Sequence, residues 1–265
     1  MIDTCRLHYQ VRGEKNGPVL VFLHGFMGSA ADWLETSTTL SRFRCILPDL
    51  PGHGRTDPCD SPEYYSMAGA GAALIRMLDE LDVDRFTPIG YSMGGRLALY
   101  LAVTYSDRCQ KVVLESASPG LVDELERHKR RGWDEGRALE LEQWEFPRFL
   151  TMWYRQPLFE PLTRHQERFR SVLARRRQND PLELARSMRG MGAGAQPSLW
   201  SELEKLDLPV LAIAGELDEK YRKTMGDMVR LCKKGQLRMI PNAGHNVHCE
   251  TPEPYVQALQ DFLTR

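Results

Sequence analysis

Gly90-Tyr91-Ser92-Met93-Gly94-Gly95 lies between Phe86-Thr87-Pro88-Ile89 and Arg96-Leu97-Ala98-Leu99-Tyr100-Leu101-Ala102-Val103. The stretch reads as strand, sharp turn, helix, and the turn matches G-x-S-x-G with Ser92 at its centre. A bend this tight needs small residues on both sides of the serine, and Gly90 and Gly94 supply them. Gly95 lets the following helix pack close. The bend lifts the hydroxyl above the sheet edge, at a helix N-terminus whose free N–H groups favour a developing anion. A Gly/Ser turn without chemistry has the same composition, so the order of the surrounding elements has to decide.

Outward from this turn the chain alternates strand and helix. Pro18-Val19-Leu20-Val21-Phe22-Leu23 is a continuous apolar run, as expected of a strand buried on both faces. It ends at His24-Gly25-Phe26-Met27-Gly28, and a helix is expected from about Ser29 to Leu40. Arg44-Cys45-Ile46-Leu47 is a short strand running into the breaker-rich loop Pro48 to Thr56. Leu7 to Val11 suggests an edge strand, Met67 to Leu81 an amphipathic helix, and Lys111 to Ser116 the strand after the elbow helix. This alternation implies right-handed crossovers and a mostly parallel sheet. Between Leu121 and Gly190 the rhythm breaks: helical stretches carry fourteen arginines against twelve acids, and most of these charges are expected to solvate helix faces. An insertion there would lie over the C-terminal ends of the strands, where such folds bind ligands. The sheet pattern resumes at Leu208 to Ala214 and again at Gln236 to Ile240, with helices at about Tyr221 to Cys232 and Pro252 to Leu263. The expected division is core over 1–119, helical lid over 120–197 and core again over 198–265.

The totals narrow the function classes. A chain of 265 residues with 42% hydrophobic and 27% charged residues suits one α/β domain with an insertion. A net charge of -1 gives no global field for nucleic acid or an acidic membrane. No apolar run approaches the roughly 20 residues of a membrane span, and Met1 to Arg6 shows no secretory pattern, so a cytoplasmic protein is expected. The six cysteines have no metal-like spacing and read as buried or incidental thiols of a reducing compartment. Oligomeric state stays open between a monomer and a small homo-oligomer.

Three polar residues fall where parallel strands end: Ser92, Asp218 in Gly215-Glu216-Leu217-Asp218, and His245 in Pro241-Asn242-Ala243-Gly244-His245-Asn246. Nucleophile, acid and histidine in that order define an α/β-hydrolase triad. The serine needs His245 to take its proton, and Asp218 would fix the tautomer of the imidazole and stabilise its protonated form. The backbone N–H groups of Met93 and Phe26 would form the oxyanion hole. His248 offers a competing histidine, but Gly-His marks His245. The expected fold is therefore α/β: an α/β-hydrolase fold with a mostly parallel central sheet flanked by helices and a helical lid insertion.

Over nearly its whole length the chain resembles the 2-succinyl-6-hydroxy-2,4-cyclohexadiene-1-carboxylate (SHCHC) synthase family of menaquinone biosynthesis. The resemblance rests on Gly90-Tyr91-Ser92-Met93-Gly94-Gly95-Arg96; on Ser118-Pro119-Gly120-Leu121 leading to Glu126-Arg127, Arg130 and Asp134; on Trp153 with Gln156-Pro157-Leu158-Phe159; and on Gly194-Ala195-Gln196-Pro197-Ser198-Leu199-Trp200. In the acid turn Tyr221 stands where a Phe is common, which should preserve the packing. The resemblance implies a lyase that eliminates pyruvate from 2-succinyl-5-enolpyruvyl-6-hydroxy-3-cyclohexene-1-carboxylate, with the triad serine as base and the oxyanion hole on the enolate. It implies a small-molecule polycarboxylate substrate bound by Tyr91, Arg96, Arg130, Trp153 and His24, and neither metal nor organic cofactor. Guanidinium groups suit carboxylates because they bind them through paired hydrogen bonds. For the lid-entrance cation, Arg127 and Arg131 compete with Arg130. A serine hydrolase of esters, thioesters or carbon–carbon bonds is the alternative on the same triad.

Overall fold

The computed structural model describes residues 5–264. Seven strands form one sheet in the order β1-β3-β2-β4-β5-β6-β7: β1 (Tyr9–Gly13), β2 (Val19–Leu23), β3 (Arg44–Pro48), β4 (Thr87–Tyr91), β5 (Val112–Glu115), β6 (Val210–Gly215) and β7 (Gly235–Ile240). β1 pairs antiparallel with β3, and all other neighbours are parallel. The inner strands alternate between two cores. Val21, Leu23, Val112, Leu114, Ala212 and Ala214 pack on one side with helices α2 (Met67–Glu80), α3 (Met93–Thr104) and α9 (Glu219–Leu231). Leu20, Phe22, Ile89, Val113, Leu211 and Ile213 pack on the other, where α11 (Pro252–Leu263) lies. Both faces are buried, which explains why β2 and β6 read as apolar runs and not as alternating strands.

Between β5 and β6 the chain forms α4 (Glu124–Gln143), α5 (Phe146–Tyr154), α6 (Glu160–Arg164), α7 (Gln166–Arg176) and α8 (Pro181–Met191). These helices have their own core, centred on Ala138, Leu141, Phe149, Leu162, Val172 and Leu184, and Met27 from the loop after β2 enters it. Where the chain leaves and rejoins the sheet, the two segments are stitched together. Leu199 N–H donates to the Pro119 carbonyl at 2.7 Å and Trp200 Nε1 to the Gly120 carbonyl at 2.8 Å. Gly120 has φ +107°, and a Cβ there would meet the Pro197 carbonyl at 2.7 Å.

Three expectations are corrected. The helix expected over Ser29–Leu40 is a 3-10 turn, Ala30–Trp33, followed by the short α1 (Leu34–Thr39). The elbow helix starts at Met93, directly after the serine, and β4 runs on through Gly90 and Tyr91. Cys5 and Cys59 are not free thiols but form a disulfide across 54 residues. The pairing of β1 with β3 explains how they meet: His8 N–H donates to Thr56 Oγ1 and Asp49 N–H to the His8 carbonyl, which lays the N-terminal segment along the loop after β3. The other four cysteines are free, and no helix of the described residues is long and apolar enough to cross a membrane.

Candidate active site

The elbow is built as its glycines demand. A Cβ at Gly90 would lie 2.2 Å from the Gly94 carbonyl oxygen, and one at Gly94 would lie 2.2 Å from that of Leu23. Ser92 sits at φ 51°, ψ −108°, outside the ordinary regions for a residue with a side chain; such backbone costs of order 1–3 kcal/mol and persists only where the surroundings over-determine it. Here Ser92 N–H donates to the Glu115 carbonyl at 2.8 Å, and Arg96 N–H to the Ser92 carbonyl at 3.0 Å. The hydroxyl is thereby held where His245 Nε2 reaches Oγ at 3.0 Å, while His245 Nδ1 lies 2.7 Å from Asp218 Oδ2. Asp218 caps α9, accepting from Tyr221 N–H through its other oxygen. His248 lies apart from this relay, with Nδ1 against Glu115.

A cavity of about 300 Å³ opens over Ser92 and His245. Phe26 and Met93 line it beside the serine. Among the described residues neither of their backbone N–H groups donates to a protein acceptor, leaving both available to an anion. Tyr91 also lines the cavity; its ring packs against His245 with centroids 5.4 Å apart, and burial raises its phenol well above the ordinary range. Trp153 also lines it, stacked on Phe149 and in tilted ring contact with Phe26, Trp133 and Phe159.

Among the described residues the cavity's charges are one-sided: Arg96, Arg130, Arg176 and Lys220 line it, and no Asp or Glu does. Arg96 has, among the described residues, only neutral acceptors, the Met191 carbonyl at 2.7 Å and Gln196 Oε1 at 3.2 Å. Its burial lowers the guanidinium to about 10, with Arg130 acting in the same direction and Tyr221 and Asp134 against, so a cavity anion would relieve an uncompensated cation. Arg130 spends Nε on Asp134 at 2.8 Å and lies over the Trp133 ring. Arg127 and Arg131 pair with Glu124 and do not line the cavity.

His24 does not line the cavity, contrary to its expected role as a substrate-binding group. It is fully buried, with Nδ1 at 2.8 Å from the Gly25 carbonyl and Nε2 accepting from Leu50 N–H at 3.0 Å. Burial lowers its pKa, and the neutral ring fastens the loop that carries Phe26 to the loop after β3. Arg176 and Lys220 are cavity cations that sequence reasoning missed. Arg176 is buried on α7, paired to Asp32, and still faces the cavity. Among the described residues no group of three or more His, Cys, Asp or Glu side chains could hold a metal ion.

Fold and site together define an α/β-hydrolase protein, and a family profile described as alpha/beta hydrolase fold matches residues 18–252. Within that class the chain belongs to the SHCHC synthase family. It is 37% identical to a Bacillus subtilis (strain 168) protein provisionally named 2-succinyl-6-hydroxy-2,4-cyclohexadiene-1-carboxylate synthase, over 99% of this chain and 96% of that one. It is 32% identical to the Citrobacter koseri synthase of the same name, over 95% and 96% of the two chains. Among solved structures, MenH from S. aureus superposes with a TM-score of 0.90 at 30% identity, covering 97% of this chain and 98% of that one.

Proposed function

We propose that this protein eliminates pyruvate from 2-succinyl-5-enolpyruvyl-6-hydroxy-3-cyclohexene-1-carboxylate to give SHCHC, in menaquinone or phylloquinone biosynthesis. The observation that carries the reading within the family is the acid-free, four-cation cavity over the triad, suited to a substrate bearing several carboxylates. His245 takes the hydroxyl proton of Ser92, and the serine oxygen takes the ring proton beside the succinyl ketone. The electron pair left behind moves onto the ketone oxygen, where the N–H groups of Phe26 and Met93 stabilise the enolate. Its collapse carries the double bonds around the ring and breaks the carbon–oxygen bond to the enolpyruvyl group. That group leaves as the enolate of pyruvate and is protonated, so the proton removed from the ring is balanced by the one gained. In this reading Arg96, Arg130 and Arg176 grip carboxylates, Tyr91 and Trp153 shape the pocket, and 120–197 acts as the lid. The setting we assign is cytoplasmic.

The test is pyruvate release from purified protein and the enolpyruvyl substrate. Release well above the spontaneous rate is expected; release at the spontaneous rate, with rapid turnover of nitrophenyl esters, would establish the hydrolase instead. Arg96→Ala should lower kcat/KM by about 10- to 150-fold, the range for losing a hydrogen bond to a charged group. Its melting temperature should stay near that of the wild type, because removing a buried cation with no ion pair among the described residues offsets the loss of its bonds to Met191 and Gln196. Unchanged kinetics would remove Arg96 from the substrate site.

A further inference from the structure

His245 needs more than Asp218 to stay in place: Asp218 fixes the imidazole, and something must fix the backbone that carries it. Glu250, at the end of the short helix α10 (Val247–Glu250), is 4% exposed and has no cation partner among the described residues. Its Oε2 accepts from Gly244 N–H at 2.6 Å and its Oε1 from Asn246 N–H at 3.0 Å, one on each side of His245. The approach is close: a Cβ on Gly244 would lie 3.1 Å from Oε2. The Asn246 side chain gives no competing support, since its buried Oδ1 has no partner.

The same frame reaches the serine. Glu115, at the end of β5 and fully buried, accepts from Ser92 N–H through its backbone carbonyl at 2.8 Å. Its side chain accepts from His248 N–H at 3.0 Å and lies 2.8 Å from His248 Nδ1. One strand end therefore holds the elbow through its main chain and α10 through its carboxylate, while α10 holds His245 through Glu250.

We propose that Glu250 is a positioning residue for His245: its carboxylate grips the N–H groups flanking the histidine and keeps Nε2 on Ser92 Oγ. The proposal rests on the triad reading given above. A helix-capping carboxylate would also accept from Asn246 N–H, and capping alone would affect stability only. The bond to Gly244, on the far side of the histidine, is outside what a cap requires. Protonation separates the two roles further. Burial pushes the Glu250 carboxyl up to about 7, and Glu115 on β5 adds to this, while the N–H groups of Gly244 and Asn246 and the ring of His248 oppose it. Across the contact from α6 comes Pro161, which carries no charge, and Glu160 and Arg164 of that helix pair with each other at the surface. As pH falls through about 7 one oxygen gains a proton, one arm of the grip weakens, and alignment is lost.

The probe is a fluorophosphonate that labels Ser92, which reports on activation of the hydroxyl independently of the natural substrate. Glu250→Gln keeps one acceptor and loses the other. It should label about 10- to 100-fold more slowly at pH 8, the scale of a misplaced catalytic group. With the enolpyruvyl substrate, kcat should fall by a similar factor at unchanged KM. Wild-type labelling should decline on the acid side with two ionisations, and Glu250→Gln with one. Wild-type rates in a folded Glu250→Gln protein, or a single ionisation in the wild type, would overturn the proposal. Ser92→Ala, run alongside, separates the two readings: if it still releases pyruvate while Glu250→Gln slows labelling of its intact serine, the base assignment fails and the positioning role stands.

Discussion

Ser92→Ala is expected to lower kcat for pyruvate release by about 10²–10⁴-fold, the range for removing a positioned general base. KM should move little, because the cations that would hold the carboxylates lie elsewhere on the wall. The loss should not be larger, because the oxyanion donors we propose are backbone N–H groups that the substitution leaves in place. Stability should rise slightly if it changes at all: Ala fits the space of Ser, and the φ 51° strain stays with the backbone. Loss of activity in a protein that melts no lower than wild type identifies the hydroxyl as part of the chemistry. Retention of full activity would remove the serine from the reaction and point to His245, beside it, as the base.

The features legible in the sequence were those set by backbone geometry. Gly90 and Gly94 are required by carbonyl oxygens 2.2 Å from where a Cβ would be, so the elbow announces itself. The order of Ser92, Asp218 and His245 follows from strands ending in loops. Arg96 was legible because it follows the nucleophile by one helical turn, which keeps it near the serine. Arg176 was not: Arg175, Arg176 and Arg177 are consecutive among fourteen lid arginines, and composition cannot say which one turns inward. The structure turns Arg176 inward because Asp32, on the 3-10 turn after β2, is buried beneath α7. His24 misled for the opposite reason. A histidine beside the oxyanion loop looks like a cavity residue, yet both ring nitrogens are consumed by Gly25 and Leu50. Glu115 and Glu250 look like surface acids in the sequence, because burial of a carboxylate depends on N–H donors brought from other segments.

Asp32→Ala should have the largest effect on stability, because this carboxylate ties α7 of the helical insertion to the turn after β2. Its Oδ1 accepts from Arg175 Nε and Arg176 Nη1, each at 2.9 Å, and its Oδ2 lies 2.8 Å from Arg176 Nη2. The Asp32 and Arg176 side chains are each 4% exposed. Removing one partner of such a pair leaves the other buried and unpaired, at a cost of about 3–5 kcal/mol. That corresponds to a fall in melting temperature on the order of 10 °C for a chain of this length. Arg175, 27% exposed, can turn to water, whereas among the described residues Arg176 has only the Tyr154 hydroxyl at 3.3 Å left to it. The pH dependence has a definite sign. Burial alone would raise the Asp32 carboxyl, but Arg176 and then Arg175 hold it well below the ordinary carboxylate range. A depressed carboxylate contributes stability above its unfolded value, about 3.9, and loses it as pH falls toward the folded value. Wild type should therefore lose stability below about pH 4 more steeply than Asp32→Ala, whose curve starts lower and lacks that contribution. Adding Arg176→Met to Asp32→Ala removes the stranded charge and should restore part of the stability, since apolar replacement of a buried ion pair is often neutral or better. Activity should not return, because Arg176 also faces the cavity. If urea unfolding shows the double variant to be as unstable as Asp32→Ala, the cost lies in lost packing and not in an unpaired guanidinium. If the double variant recovers activity along with stability, Arg176 serves the lid alone and the cavity's carboxylate grip falls to Arg96, Arg130 and Lys220.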